Sequence, residues 1–144
     1  MFYIEKYFKL FALTLTKRSV SLLRNNLNST TINSRMVSQQ TINKVKEMIN
    51  EKEVFIASKS YCPYCKKAKS TLFKDYKVPE SKALVLELDE MTDGRDIQDA
   101  LYEITGQTSV PNIFIDGAQV GGNDDLQVLN KSGKLDQMLQ KVVN

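Results

Sequence analysis

Histidine and tryptophan are absent from the 144 residues, and cysteine and proline are scarce, at two and three. Each shortage excludes something. Without histidine the chain lacks both the commonest general base and the commonest zinc ligand. Two cysteines cannot staple a small secreted scaffold, so a reducing compartment fits better. No apolar run approaches ~20 residues, so no segment reads as a membrane-spanning helix. What is present is a hydrophobic fraction of 42%, enough for a packed α/β core.

Charge is unevenly distributed, and the net value of +3 hides this. Residues 1–35 carry Lys6, Lys9, Lys17, Arg18, Arg24 and Arg35 against Glu5 alone, a balance of +5; residues 36–144 carry 14 basic against 16 acidic residues, a balance of −2. The basic excess therefore sits outside the folded part, which does not read as a nucleic-acid binder. On a helical wheel Ile4, Phe8, Phe11, Leu15 and Leu22 share one face, with Lys6, Lys9, Lys17 and Arg24 roughly opposite; Leu13 and Arg18 break the pattern. An amphipathic, acid-poor segment bearing Arg and Ser predicts a mitochondrial transit peptide over residues 1–35, followed by a folded domain over residues 36–144. A second start at Met36 would give a cytosolic form, so the expected locations are mitochondrion and cytoplasm. A secretory segment ("LFALTLT") is short and flanked by Lys, and an unstructured basic tail is the plainer alternative.

From residue 36 onward the periodicities predict the order α-β-α-β-α-β-β-α. Ile42, Val45, Met48 and Ile49 have helical spacing after Ser38, a natural N-cap. "EVFIASKS" reads as a buried strand, and "CPYCKKAKSTLFKDY" as a helix turning Ala68, Leu72, Phe73 and Tyr76 inward. "KALVLELDE" is a second strand, and "TDGRDIQDALYEITG" a helix with polar capping residues and a Gly106 stop. "SVPNIFIDGAQVGG" reads as a hairpin turning at Asp116-Gly117, and two short helices broken near Gly133 close the chain. Two strands flanking a helix should be parallel, and the hairpin is antiparallel. The expected fold class is thus α/β, a four-stranded mixed sheet flanked by helices on both faces.

Cys62 and Cys65 fall between the first strand and the second helix, in "SKSYCPYCKKAKS". A structural zinc site needs about four ligands, and one CxxC without histidine supplies two. An iron–sulfur cluster shared between two chains and a pair of inert buried thiols remain open. The junction favours reactivity. Cys62 stands at the helix N-terminus, with Pro63 in the first turn, where a missing N–H costs nothing. The unpaired N–H groups of that turn and the helix dipole favour thiolate over thiol. Lys59, Lys66 and Lys67 add positive charge, and no acid lies between Glu53 and Lys74.

"YCPYC" after a strand, followed by "SVPN" and then "GGNDDL", resembles the dithiol glutaredoxins, closely the fungal cytosolic/mitochondrial type, across residues 36–144. The resemblance implies a thioredoxin-like fold and glutathione as co-substrate, with no metal. It implies that Cys62 attacks protein–glutathione mixed disulfides and that Cys65 resolves them. Val110 and a cis Pro111 would present the Val110 backbone to the cysteinyl part of glutathione. Lys59 and Gln98 would grip the glycyl carboxylate, Asn123 and Asp124 the γ-glutamyl end, and Tyr64 would line the groove. Asp125 could share the role of Asp124, and Tyr61 could be plain loop structure. The implied partners are glutathione, glutathionylated or disulfide-bonded proteins and, indirectly, glutathione reductase; no nucleic acid or membrane is expected, and the chain should be a monomer. Two alternatives stand beside this: a glutathione-ligated iron–sulfur dimer, and a thioredoxin-type reductase. The second lacks the Trp and Gly-Pro that a thioredoxin motif would show.

Overall fold

The computed structural model describes residues 36–144. The transit-peptide expectation for residues 1–35 lies outside the described residues.

Helix α1 runs Gln39–Glu51 and begins where its N-cap dictates: Ser38 Oγ accepts from the Thr41 N–H at 3.1 Å. Its Val45 and Ile49 are buried. Strand β1, Val54–Ser58, is buried along its whole length. Helix α2 starts at Pro63 and ends at Ser70. The sequence pattern predicts one regular helix through Tyr76; the chain instead widens into a π turn over Thr71–Asp75. There the Tyr76 N–H donates to Thr71 O at 3.1 Å, five residues back, and the Val78 N–H to Leu72 O at 3.0 Å. Leu72 stays fully buried, and the Tyr76 hydroxyl donates to Asn130 Oδ1 at 2.9 Å.

After a 3-10 turn at Glu80–Lys82 comes strand β2, Ala83–Glu87, and then helix α3, Gly94–Thr105. Asp93 precedes α3 as predicted, but its carboxylate makes no capping bond; it pairs with Lys44 Nζ at 2.9 Å and ties α1 to α3. Gly106 ends α3 in the left-handed region, φ 74°. Strands β3, Asn112–Ile115, and β4, Ala118–Gly121, form the expected hairpin. Its two turn residues, Asp116 (φ 49°) and Gly117 (φ 75°), are both left-handed, as a tight turn of this hand requires. Helices α4, Asn123–Lys131, and α5, Lys134–Val143, follow, broken at Gly133.

The sheet order is β2-β1-β3-β4. β1 and β2 are parallel, pairing Val54 with Ala83 through Ser58 with Glu87; β1–β3 and β3–β4 are antiparallel. Alternation divides the core into two layers. Val54, Ile56, Ile113 and Ile115 pack with Ala68 and Leu72 of α2, Leu126 of α4 and Leu135, Leu139 and Val142 of α5. Phe55, Ala57 and Phe114 pack with Val45 and Ile49 of α1 and Ile97, Ala100 and Leu101 of α3. Phe55 and Phe114 meet edge to face, centroids 5.7 Å apart. The expected mixed sheet between helical layers is therefore the observed one. Pairing of Ala57 with Asn112 and of Ile113 with Gly121 gathers the end of β1, the start of β3 and the end of β4 at one end of the sheet.

Candidate functional site

Cys62 caps α2, with Pro63 behind it in the first helical position. Its own N–H donates to Lys59 O at 3.0 Å, closing a tight turn between β1 and α2. Its sulfur is half-buried, whereas Cys65, one turn along, is wholly buried; both thiols are free. The two environments act in opposite directions. Burial raises the Cys62 pKa, but the Cys65 N–H, the Cys65 thiol, the Tyr64 N–H and the Lys59 charge together outweigh it, so the thiol titrates below its ordinary value of 9.0. Burial pushes the Cys65 thiol up, and its hydrogen bond to the Cys62 sulfur adds to that. Cys62 is thus the more acidic of the two thiols, and Cys65 the hydrogen-bond donor beside its sulfur.

Beside the thiolate lies the segment leading into β3. The Val110–Pro111 bond is cis, and the Cys62 sulfur approaches Val110 O at 3.8 Å. An open groove of about 430 Å³ runs on from there. Of the predicted residues it brings together Tyr64, Val110, Pro111, Asn123 and Asp124. Gly122 precedes α4, and Asp125 Oδ2 accepts its N–H at 2.9 Å. Both Asp124 and Asp125 line the groove; one oxygen of Asp125 is committed to the helix end, and Asp124 makes no such capping bond. Exposed Tyr64 forms one wall, and exposed Tyr61 is not among the lining residues.

Lys59 and Gln98 are not among the lining residues of this groove. Lys59 acts on Cys62 by charge from the preceding turn. Gln98 Nε2 donates to Thr108 O at 2.7 Å, so one amide proton braces the loop ahead of Val110. The other remains for a ligand carboxylate.

Three residues of this region escaped the sequence reading. Gln107 donates from Nε2 to Ser109 O at 3.0 Å and to Pro111 O at 2.9 Å, and accepts from Gln119 at 3.2 Å. It spans the cis bond and lines the groove. Asp89, just beyond β2, accepts from the Ser60 N–H at 2.8 Å and from the Ser60 hydroxyl. That hydroxyl first, then the N–H, hold its carboxyl below the ordinary range. Asp89 thereby pins the turn that carries Lys59. Ser58, buried at the end of β1, lies under the cysteine pair. Glutamine and aspartate at these spacings have no local signature; only the loop geometry shows their use. Among the described residues no group of three or more His, Cys, Asp and Glu side chains is arranged to hold a metal ion.

A glutaredoxin family profile matches residues 54–120. Glutaredoxin-1 of Saccharomyces cerevisiae is 57% identical over 108 residues, which cover 75% of this chain and 98% of the yeast protein. The chain belongs to the glutaredoxin family. Glutaredoxin-C1 of Arabidopsis thaliana is 44% identical over 106 residues, covering 74% of this glutaredoxin and 82% of the plant protein. Among solved structures, a buckwheat glutaredoxin–glutathione complex superposes with a TM-score of 0.65 at 36% identity, covering 72% of this chain and 90% of that one. A wheat glutaredoxin does so at 0.66 and 43% identity, covering 72% and 92%. This glutaredoxin is accordingly a glutathione-dependent disulfide oxidoreductase with a thioredoxin-like fold.

Proposed function

We propose that this glutaredoxin reduces protein–glutathione mixed disulfides and protein disulfides through the Cys62 thiolate, with glutathione as co-substrate. The observation that carries this reading is the place of Cys62. A sulfur shifted toward thiolate lies 3.8 Å from Val110 O, and Val110 lines a groove that continues to Asp124. An extended peptide can pair with the Val110 N–H and C=O in the manner of an added strand. The first-turn N–H groups of α4 suit a carboxylate, and Asp124 suits an ammonium, so the groove end fits the zwitterionic γ-glutamyl group. Lys59 and the remaining Gln98 proton are the donors available to the glycyl carboxylate.

In the first step the Cys62 thiolate attacks the glutathionyl sulfur of the mixed disulfide. A Cys62–glutathione disulfide forms, and the protein substrate leaves as its thiolate. A second glutathione thiolate then attacks the bound glutathionyl sulfur, oxidised glutathione departs and the Cys62 thiolate returns. With a protein disulfide the bond formed at Cys62 is to the substrate, and Cys65 displaces the remaining substrate thiolate. Glutathione reductase would regenerate glutathione away from this chain. The same reading has the protein act as a monomer, without nucleic acid or membrane, in a mitochondrial form carrying residues 1–35 and a cytosolic form beginning at Met36.

A charge-assisted contact at Asp124 contributes roughly 1.5–3 kcal/mol. Asp124→Ala should therefore raise the KM for a cysteine–glutathione mixed disulfide by about tenfold or more, with kcat little changed. Steady-state kinetics with glutathione and glutathione reductase supply the test, and an unaltered KM would remove Asp124 from the site.

A further inference from the structure

Beneath Cys65 lies a polar group that the reaction above does not use. Ser58 closes β1 and is 0% exposed, and among the described residues its hydroxyl has no hydrogen-bond partner of standard geometry. Glu87 closes β2, pairs in register with Ser58, and its Oε2 is likewise buried and unpartnered. The other carboxylate oxygen binds Lys69 Nζ of α2, in a pair about three-quarters buried on both sides. An orphaned hydroxyl and an orphaned carboxylate oxygen, each costly to bury alone, thus stand on neighbouring strands about 4.8 Å apart.

Their direction is set by the sheet. Val54 and Ile56 on β1 and Ala83 and Val85 on β2 belong to the core layer under α2, so alternation turns Ser58 and Glu87 to that layer as well. Burial raises the Cys65 thiol pKa, and the Ser58 hydroxyl works the other way, toward its thiolate, without forming a hydrogen bond of standard geometry to it. Cys65, Ser58, Glu87 and Lys69 therefore form one buried set beneath a thiol that has no access to solvent.

We propose that Ser58 and Glu87 are the outlet for the Cys65 proton in the resolving step. This rests on the Cys62–glutathione intermediate of the proposed function and deepens it. When Cys65 attacks the Cys62 sulfur, the Cys62–Cys65 disulfide forms and glutathione leaves as its thiolate. The Cys65 proton passes to the Ser58 oxygen, and the proton already on Ser58 passes to Glu87 through one bridging water. Glu87 becomes a neutral acid and Lys69 keeps its charge; Cys65 is oxidised, the leaving glutathione sulfur is reduced, and Cys62 stays at the disulfide level. In reverse, Glu87 returns the proton as the disulfide is reduced. The titratable groups facing this set are Cys62, Cys65, Lys69 and Glu87. Lys66 and Lys67 on the same helix are exposed, and α1 and α3 pack on the opposite face of the sheet.

The test mixes the full-length reduced enzyme rapidly with oxidised glutathione and follows two species by quenched-flow mass spectrometry. One is the glutathionylated protein, the other the internal disulfide. Formation of the first is the reference reaction and reports a folded site. In Ser58→Ala and Glu87→Gln the ratio of closure to glutathionylation rates should fall about tenfold or more near neutral pH, as for loss of a proton acceptor. The deficit should shrink as pH rises and a larger share of Cys65 is already deprotonated before it attacks, a response that loosened packing would not produce. A ratio within about twofold of the parent in both variants, or a deficit independent of pH, would overturn the proposal. If the parent enzyme forms no glutathionylated species, the glutathione reading itself fails; closure at the parent rate in the variants fails only the outlet.

Discussion

At Cys62 the reactivity of a whole protein rests on where one sulfur sits. The same residue type three positions on is shifted the other way, because it has a turn of helix around it rather than the open end. Lys59 contributes to that difference by charge from the preceding turn, and Asp89 holds the turn in place through Ser60. The sign of the pH dependence follows. A lowered pKa keeps the thiolate present as pH falls below the ordinary thiol value of 9.0, and it is lost only as pH passes the folded-state value. Iodoacetamide should therefore modify Cys62 well below that pH, and Cys65 hardly at all. Lys59→Met should move the Cys62 profile toward higher pH and slow alkylation at pH 7. A profile unmoved by the substitution would show that the helix N–H groups suffice without the lysine.

Among the elements, the connections decide more than the helices and strands they join. The β2–α3 connection depends on Gly94, where a Cβ would strike the Leu88 carbonyl. Gly106 differs: its φ of 74° disfavours a side chain, yet a Cβ there would meet nothing within 4 Å. Gly106→Ala should therefore cost only the left-handed backbone, about 1–2 kcal/mol in denaturant unfolding. Gly94→Ala should cost clearly more, and the reverse order would show that the loop yields. The strands, the α1 cap, the Asp116-Gly117 turn and the Gly106 stop were all legible, because each is written in adjacent residues. The π turn after Ser70 was not, since periodicity cannot register a single extra residue in a turn. The polar residues before α3 were read as capping, and Asp93 there pairs instead with Lys44, 49 residues away in sequence.

For the molecule as a whole, the sheet gathers three separated motifs at one end. "CPYC", "SVPN" and "GGNDD" can each be read alone, and the register of β1, β3 and β4 explains why they meet. Tyr64, Val110, Pro111, Asn123 and Asp124 line one groove, while Gln98 is drawn to Thr108 and Lys59 stays in the turn. What could not be read is the support behind the groove. Gln107 spanning the cis bond and Ser58 beside Glu87 are contacts between strands and loops distant in sequence. The central claim is that Cys62 alone carries the exchange with glutathione and that Cys65 serves only the steps that need a second thiol. Turnover of a cysteine–glutathione mixed disulfide by Cys62→Ser and Cys65→Ser, coupled to glutathione reductase, tests it most directly. Cys65→Ser should remain active and Cys62→Ser should fall to the uncatalysed rate; activity retained by Cys62→Ser would contradict the account.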